Sequence, residues 1–164
     1  MNELDVRSLE AQRDGLIAAA KTVLMAAAGE AGMPEMGVTP FVRHNGAIHI
    51  YPSRLSAHVR AMLDGRKGAF LIVEDEMSAQ NIWARKRLKI NADLIEIDRQ
   101  EDEFDEVCAL FEDRHGPTMG LIRDFSDFHL LRLRPRDSVM VLGFAQAFRL
   151  SGPDLEVSAH LRAS

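Results

Sequence analysis

The stretch MGVTPFVRHNGAIHIYPS, residues 36–53, has the pattern of a complete β-hairpin. Two runs rich in β-branched and aromatic residues, 36–44 and 47–53, flank the dipeptide Asn45-Gly46. Asn-Gly between two such runs is the strongest short-range signal for a tight hairpin, because both turn residues must adopt positive φ. The sequence therefore predicts two antiparallel strands at this point.

Before and after the hairpin, the sequence has helical and extended patterns that do not alternate regularly. The helical patterns cover residues 4–20, 53–65, 102–116 and 118–125. The extended patterns cover residues 22–29, 68–76, 88–99, 128–135 and 138–152. We expect Ser53 to cap the second helix. Because helices do not separate successive strands, a doubly wound parallel sheet is disfavoured, and the pattern predicts an α+β fold with a small antiparallel barrel and packed helices.

The last extended pattern includes VLGFAQAFRL, residues 141–150, which we expect to be one half-buried strand. Its alternation places Met140, Leu142, Phe144 and Phe148 on one side. The opposite face is made of small residues, Gly143, Ala145 and Ala147, and it would allow another backbone or a flat ligand to approach closely.

Composition describes an ordinary globular chain. Its 164 residues suit one domain, 1–164, with an N-terminal helix in residues 1–20 and a flexible tail in 151–164. A net charge of −5 argues against nucleic-acid binding. No apolar run is long enough to span a membrane. The single cysteine, Cys108, excludes an internal disulfide and a cysteine zinc site, and it fits a cytoplasmic protein.

Short catalytic motifs are absent, so the candidate site rests on clusters of polar side chains. Arg54 and His58 are four residues apart and share one helix face, where they would reach a phosphate or a carboxylate. A solvated helix face is the commoner explanation of this spacing. The basic run Arg85-Lys86-Arg87 suits phosphate or propionate groups, although a charged turn explains it equally well.

Two further histidines have functional and ordinary explanations. Asp127 precedes His129 by two residues, so on a strand the carboxylate could orient the imidazole or a bound water. The ordinary explanation is a turn residue at the start of a strand. His160 would be an axial ligand of a haem iron, or part of a frayed tail.

Five segments together resemble one family. They are TPFVR (39–43), SRLSAHVRAML (53–63), IVEDE…ARKRLK (72–89), DFHLLRLRP (127–135) and VLGFAQAF (141–148). In this order they are similar to the haem-utilisation proteins of the HutZ/HugZ type, which belong to the pyridoxamine-5′-phosphate-oxidase-like FMN-binding split barrels.

The resemblance implies a split β-barrel with flanking helices, a homodimer, and a ligand site at the dimer interface. It implies haem as the ligand, or FMN as the alternative. The cofactor-binding residues would be Ser53, Arg54, His58, Arg85 and Arg87. Asp127 would be the acidic catalytic residue near the haem ligand, and His160 would be the residue that binds the metal.

Two positions depart from the family pattern. The short haem-binding members carry a Gly-His pair near the C-terminus, whereas His160 corresponds to an earlier histidine of that tail. Gly37 stands near the place of a serine that precedes the Pro-Phe segment in the family. Three functions remain open: haem binding with haem degradation and iron release, an FMN-dependent oxidoreductase, and a haem-binding module without activity.

Overall fold

The computed structural model describes residues 3–161, with side chains described from Asp5 onward. This part of the chain contains four α-helices and eight strands. The helices are α1 (Glu3–Ala19), α2 (Ala57–Gly65), α3 (Asp102–His115) and α4 (Thr118–Ile122). The strands are β1 (Thr22–Ala28), β2 (Pro34–His44), β3 (Ala47–Ile50), β4 (Lys67–Val73), β5 (Arg87–Ile97), β6 (Leu130–Gly143), β7 (Gln146–Ser151) and β8 (Glu156–Leu161).

The eight strands form one antiparallel sheet in the order β3-β2-β1-β4-β5-β6-β7-β8. β3 also pairs with β6, through His49 opposite Arg132 and Ile50 opposite Leu131, and this pairing closes the first six strands into a barrel. β7 and β8 extend the sheet beyond the closed barrel. The predicted α+β split barrel with flanking helices is confirmed.

The predicted hairpin joins β2 to β3. Asn45 has φ 48° and Gly46 has φ 81°, the two positive φ values that a tight two-residue turn requires. His44 lies opposite Ala47 on either side of the turn. Glycine has no side chain to clash in this conformation, and asparagine tolerates it better than most other residues.

Two apolar clusters hold the elements together. The larger cluster fills the barrel and includes Met25, Phe70, Ile90 and Met140. The smaller cluster lies between the barrel wall and the helices α3 and α4, and it includes Tyr51, Phe104, Val107, Phe111 and Met119. Burial of this second cluster fixes the α3–α4 unit on the outside of the barrel, where it forms one wall of the cavity described below.

The residues 128–152 form their strands differently from the prediction. β6 is one strand that passes through Pro135, and the register against β5 shifts between Ile90 and Ala92 where the proline lies. Proline has no N–H to donate, so a bulge at this point lets the strand continue. The prediction of a single strand across 141–150 is wrong. The chain turns at Phe144 and Ala145, and Gly143 lies opposite Gln146.

Helix α2 begins later than its sequence pattern predicts. Ser56, rather than Ser53, occupies its N-cap position. Ser53 instead forms an isolated β-bridge with Phe128. Leu55, which the pattern placed on the apolar stripe, is 77% exposed, whereas Val59 and Met62 are buried. The cause is a tertiary pairing with a distant segment, which local periodicity does not reveal.

Both ends of the described chain are ordered against the sheet. Residues 156–161 of the predicted flexible tail form β8, while residues 162–164 lie outside the described part, as do residues 1–2 of the predicted N-terminal helix. Arg13 of α1 donates to the carbonyl oxygen of Leu155 at 2.7 Å, just before β8. Within residues 3–161, no helix is both long and apolar enough to cross a membrane.

Candidate functional site

A cavity of about 430 Å³ lies between the β2–β3 side of the barrel and the helices α2, α3 and α4. Its wall is mostly apolar, with Tyr51 and Phe111 among the lining residues. Ser53, His58 and His115 are among the polar residues that line it. A mainly apolar cavity with a few polar side chains is the usual form of a small-molecule site.

Ser53 and Asp127 meet at the rim of this cavity. The chain leaves β3 and runs beside the segment that precedes β6, so that the Arg54 amide donates to the Asp127 carbonyl at 2.8 Å. The Ser53 hydroxyl donates to Oδ2 of Asp127. The same hydroxyl accepts from the Leu55 amide at 3.1 Å. Ser53 thus orients the carboxylate and leaves Oδ1 of Asp127 outside this hydrogen bond.

His58 lies on the first turn of α2 and packs against the backbone of β2 at Gly37. A Cβ atom placed on Gly37 would lie 2.2 Å from Nε2 of His58 and 2.3 Å from its Cε1. The imidazole therefore fills the volume that any side chain at position 37 would need. His58 lines the cavity, and its ring covers Gly37.

Sequence reasoning missed His115 as a cavity residue. Nε2 of His115 lies 2.9 Å from the carbonyl oxygen of Phe41, to which it donates. Its ring also packs against Phe111 with the centroids 5.9 Å apart. Tyr51 donates to the carbonyl oxygen of Arg123 at 2.7 Å, and burial raises the pKa of its hydroxyl. The only sequence signal for His115 was its place just before the helix-ending Gly116-Pro117.

Of the two explanations of the Asp127–His129 spacing, the ordinary one holds: Asp127 is a turn residue before β6, and the two side chains do not pair. Nδ1 of His129 instead lies 2.6 Å from Oε1 of Glu96 on β5. Asp127 precedes β6 in a turn, so the two-residue spacing does not place both side chains on one strand face. The carboxylate that orients His129 therefore comes from the neighbouring strand.

Arg85, Arg87 and His160 lie at the other end of the sheet. Arg85 donates to the Glu74 carbonyl through Nε at 3.0 Å and forms an ion pair with Glu76 at 3.2 Å. Arg87 donates to the carbonyl oxygen of Arg85 at 3.0 Å. These contacts hold Arg85 and Arg87 at the start of β5.

His160 on β8 belongs to the same end. Its Nε2 donates to the carbonyl oxygen of Ala145 at 2.9 Å, and its ring stacks on Phe148 with the centroids 4.9 Å apart. Nearby turns expose two aromatic side chains, Trp83 at 84% and Phe144 at 68%. We call the surface formed by Trp83, Arg85, Arg87, Phe144 and His160 the aromatic–basic tip.

Strand β6 separates the aromatic–basic tip from the cavity. Leu130, at the cavity end, lies opposite Ile97, whereas Val141, at the tip end, lies opposite Arg87. At a rise of about 3.3 Å per residue, these two positions on β6 are about 35 Å apart along the strand. The fold therefore brings Ser53, Arg54, His58 and Asp127 into one neighbourhood and Arg85, Arg87 and His160 into another. The exposed side chain of Arg54 lies at the cavity end.

Comparison with known proteins connects this architecture to one family. No protein-family model matches the chain. The chain is 30% identical over 141 residues to the heme oxygenase HutZ of Vibrio cholerae serotype O1, covering 86% of this chain and 80% of that relative. The crystal structure of HutZ, named there as the heme storage protein of Vibrio cholerae, matches with a TM-score of 0.72 and 24% identity over 89% of this chain and 98% of HutZ.

Two other solved structures share the fold. ChuZ of Campylobacter jejuni matches with a TM-score of 0.82 and 25% identity over 95% of this chain. The chain spans 63% of the length of ChuZ. A protein of the pyridoxinephosphate oxidase family from Clostridium acetobutylicum matches with a TM-score of 0.66 and 13% identity, over 88% of this chain and 94% of that protein. The chain therefore belongs to the HutZ family and is built on the split barrel of the pyridoxinephosphate-oxidase-like proteins.

Proposed function

We propose that this protein is a cytoplasmic homodimer that binds haem between its two copies and assists haem breakdown and iron release. Haem is the substrate in this proposal. Sequence similarity to a protein named as a heme oxygenase supports the choice of haem as the ligand. The observation that supports a shared site is the division of the candidate residues between the two ends of β6.

A site between two copies follows from this division. The length of β6 between Leu130 and Val141 would keep one planar ligand from contacting both groups of residues in the same chain. A second copy related by a two-fold axis would bring its aromatic–basic tip to the cavity end of the first copy, and the same operation would form an identical second site. Each site would then combine Ser53, His58 and Asp127 of one copy with Arg85, Arg87 and His160 of the other.

The residues at the tip fit the chemistry of haem. Histidines that bind metals usually donate their second ring N–H to a backbone carbonyl or a carboxylate, which fixes the ring. His160 has this arrangement, because Nε2 donates to Ala145 and leaves Nδ1 as the free lone pair. Arginine forks suit the propionate groups; Arg87 would supply one, and Arg85 would supply another by exchanging its ion pair with Glu76 for the ligand. Trp83 and Phe144 offer aromatic surface for a macrocycle.

The cavity end would control the open face of the bound haem. Bound haem supplies its iron for oxygen chemistry, and the protein residues bind, orient and move protons beside it. The Asp127 carboxylate, oriented by Ser53, is the acid–base candidate because Oδ1 remains available. His58 would add a second polar contact from α2. The largely apolar wall of the cavity would exclude water from this face.

Titration with haemin tests the proposal. Purified protein is mixed with haemin, and the absorption spectrum is recorded from about 300 to 700 nm, a range that covers the haem and flavin bands. We expect a sharpened and shifted Soret band that saturates at one haem per chain, with weaker binding in His160→Ala. His129→Ala serves as the control, because this ring pairs with Glu96 on β5. An unchanged haemin spectrum would contradict haem binding.

The same experiment separates the other two functions. A purified protein that is already yellow, with flavin bands that haemin does not change, would support the FMN-dependent oxidoreductase instead. Haem breakdown is tested by adding a reductant and oxygen to the haem complex and measuring the loss of the Soret band and the release of iron to a chelator. Haem binding without breakdown would support a storage or carrier module.

A further inference from the structure

One guanidinium group makes several hydrogen bonds to the segment 123–128, which connects α4 to β6 and carries Asp127. Arg99, just after β5, donates through Nη2 to the carbonyl oxygens of Phe125 at 2.6 Å and Phe128 at 3.1 Å. Its Nη1 donates to the carbonyl oxygen of Arg123. Three carbonyls on both sides of Asp127 therefore converge on one side chain.

Arg99 also connects this segment to the cavity wall. Its Nη2 lies 3.2 Å from the hydroxyl oxygen of Tyr51, and this hydroxyl donates in turn to Arg123. The guanidinium carbon lies 5.2 Å from the centroid of the Phe104 ring, which is part of the apolar cluster under α3. Phe104 thus supports the plane of the guanidinium from a buried position.

Other contacts add to this hold: the Phe128 ring stacks on Tyr51 with the centroids 5.4 Å apart, and Ser53 donates to Asp127. In the described chain, the backbone bonds to the neighbouring strand are those between Arg54 and Asp127 at 2.8 Å and between His129 and Pro52 at 3.1 Å. A planar guanidinium with five N–H groups in a fixed fork can satisfy several carbonyls at once, and a lysine ammonium cannot reproduce this geometry. Loss of the fork would remove one donor from each of these three carbonyls; Arg123 would keep the Tyr51 hydroxyl and Phe125 would keep the Phe128 amide.

We propose that Arg99 is a positioning residue that holds segment 123–128 so that the Asp127 carboxylate stays on Ser53 and faces the bound ligand. This inference rests on the proposed function in one respect only, which is that the bound ligand is haem. Arg99 acts through the backbone and Tyr51, and it does not contact the ligand itself.

The test compares Arg99→Lys with a matched control, Arg114→Lys. Arg114 is also exposed, lies 5.9 Å from the centroid of the Phe41 ring, and donates to two backbone carbonyls, those of Ala18 and Ala20. Arg99→Met is a second variant that keeps the aliphatic stem over Phe104. For every variant we would measure amide hydrogen exchange at Arg54, the haem dissociation constant, and the free energy of unfolding.

We expect faster exchange of the Arg54 amide in both Arg99 variants, because its acceptor is the Asp127 carbonyl. We expect haem affinity to fall about tenfold in Arg99→Lys, which corresponds to about 1.4 kcal/mol. The double variant Arg99→Lys/Asp127→Asn should bind haem about as well as Asp127→Asn alone, because both changes remove the same positioned carboxylate. The Arg114→Lys control should stay within twofold of the wild-type affinity.

Unchanged exchange at Arg54 in the Arg99 variants would overturn the positioning role. Additive losses in the double variant would also overturn it, because additivity is the result expected of a purely structural contribution. If the wild-type protein binds no haem, the proposed function fails, whereas the exchange measurement still decides whether Arg99 holds the segment.

Discussion

The imidazole of His58 occupies the space directly above Gly37, where a Cβ atom would lie 2.2 Å from Nε2. This contact joins α2 to β2 and shapes the cavity wall. It also explains why position 37 is a glycine, because the histidine ring takes the volume that a side chain there would need.

Gly37→Ala should destabilise the protein by about 1–3 kcal/mol, the usual cost of forcing extra volume into a packed contact. Denaturant unfolding measures this change. The double variant Gly37→Ala/His58→Ala should recover most of the loss, because the ring that clashes with the new methyl group is gone. Gly15→Ala is the control: nothing lies within 4 Å of its added Cβ in helix α1, so stability should rise by up to about 1 kcal/mol. Equal effects at both glycines would contradict the contact.

The stability of the protein should decrease as the pH falls below about 6.5, the pKa of an unfolded histidine. Burial lowers the pKa of His49, and the hydrogen bond at 2.7 Å to Glu103 only partly offsets this effect. The unfolded chain therefore binds a proton more readily than the folded one, and acid favours unfolding.

Unfolding free energies at pH 7.5 and pH 5.5 test this sign, with His49→Asn as the comparison. We expect a smaller difference between the two pH values in His49→Asn than in the wild type. A wild-type protein that becomes more stable at the lower pH, together with an unchanged difference in the variant, would show that the sign is wrong.

The thiol of Cys108 should resist alkylation in the folded protein. It lies on the buried face of α3, and burial raises its pKa to about 11. Almost no thiolate is therefore present near neutral pH. Because Cys108 is the single cysteine of the chain, the mass added by iodoacetamide reports on it alone. We expect labelling within minutes in denaturant and very slow labelling without it. Rapid labelling of the native protein would contradict the packing of α3.

The fluorescence of Trp83 should report on the aromatic–basic tip, because this is the single tryptophan of the chain. Its side chain is 84% exposed in one copy. If the tip faces the haem and the second copy, haem should quench Trp83 in proportion to site occupancy, and the dimer should protect it from acrylamide. Dilution into the monomer range should restore quenching by acrylamide. Equal quenching of Trp83 by acrylamide in the monomer, the dimer and the haem complex would contradict a haem site at the aromatic–basic tip.

The parts of the fold that the sequence predicts correctly are those set by local chemistry. The Asn45-Gly46 turn requires two positive φ values, and few dipeptides meet that requirement as well. The helix α3 follows its apolar periodicity, with Phe104, Val107 and Phe111 buried. By contrast, the turn at Ala145 breaks a pattern that alternates on both sides of it, so the hairpin between β6 and β7 resembles one long strand.

The candidate site depends on contacts between residues far apart in the chain. Ser53 looks like a helix cap by its local sequence, but its partner is Asp127, which the barrel brings alongside. Asp127 and His129 look like a pair by spacing, but Glu96 of the adjacent strand takes the histidine. Arg99 carries no local signal, because its acceptors are backbone carbonyls whose direction depends on the tertiary fold.

The central claim is that each haem site takes Asp127 from one copy and His160 from the other. The most direct measurement is the haem stoichiometry of a heterodimer between an Asp127→Ala chain and a His160→Ala chain, isolated with two different affinity tags. If each site takes Asp127 from one chain and His160 from the other, one site of this heterodimer lacks both side chains and the other site has both. We expect one haem per heterodimer with the wild-type spectrum and affinity, while both mutant homodimers bind weakly. A heterodimer with two equally weakened sites would contradict the account, because it would show that both residues act within a single chain.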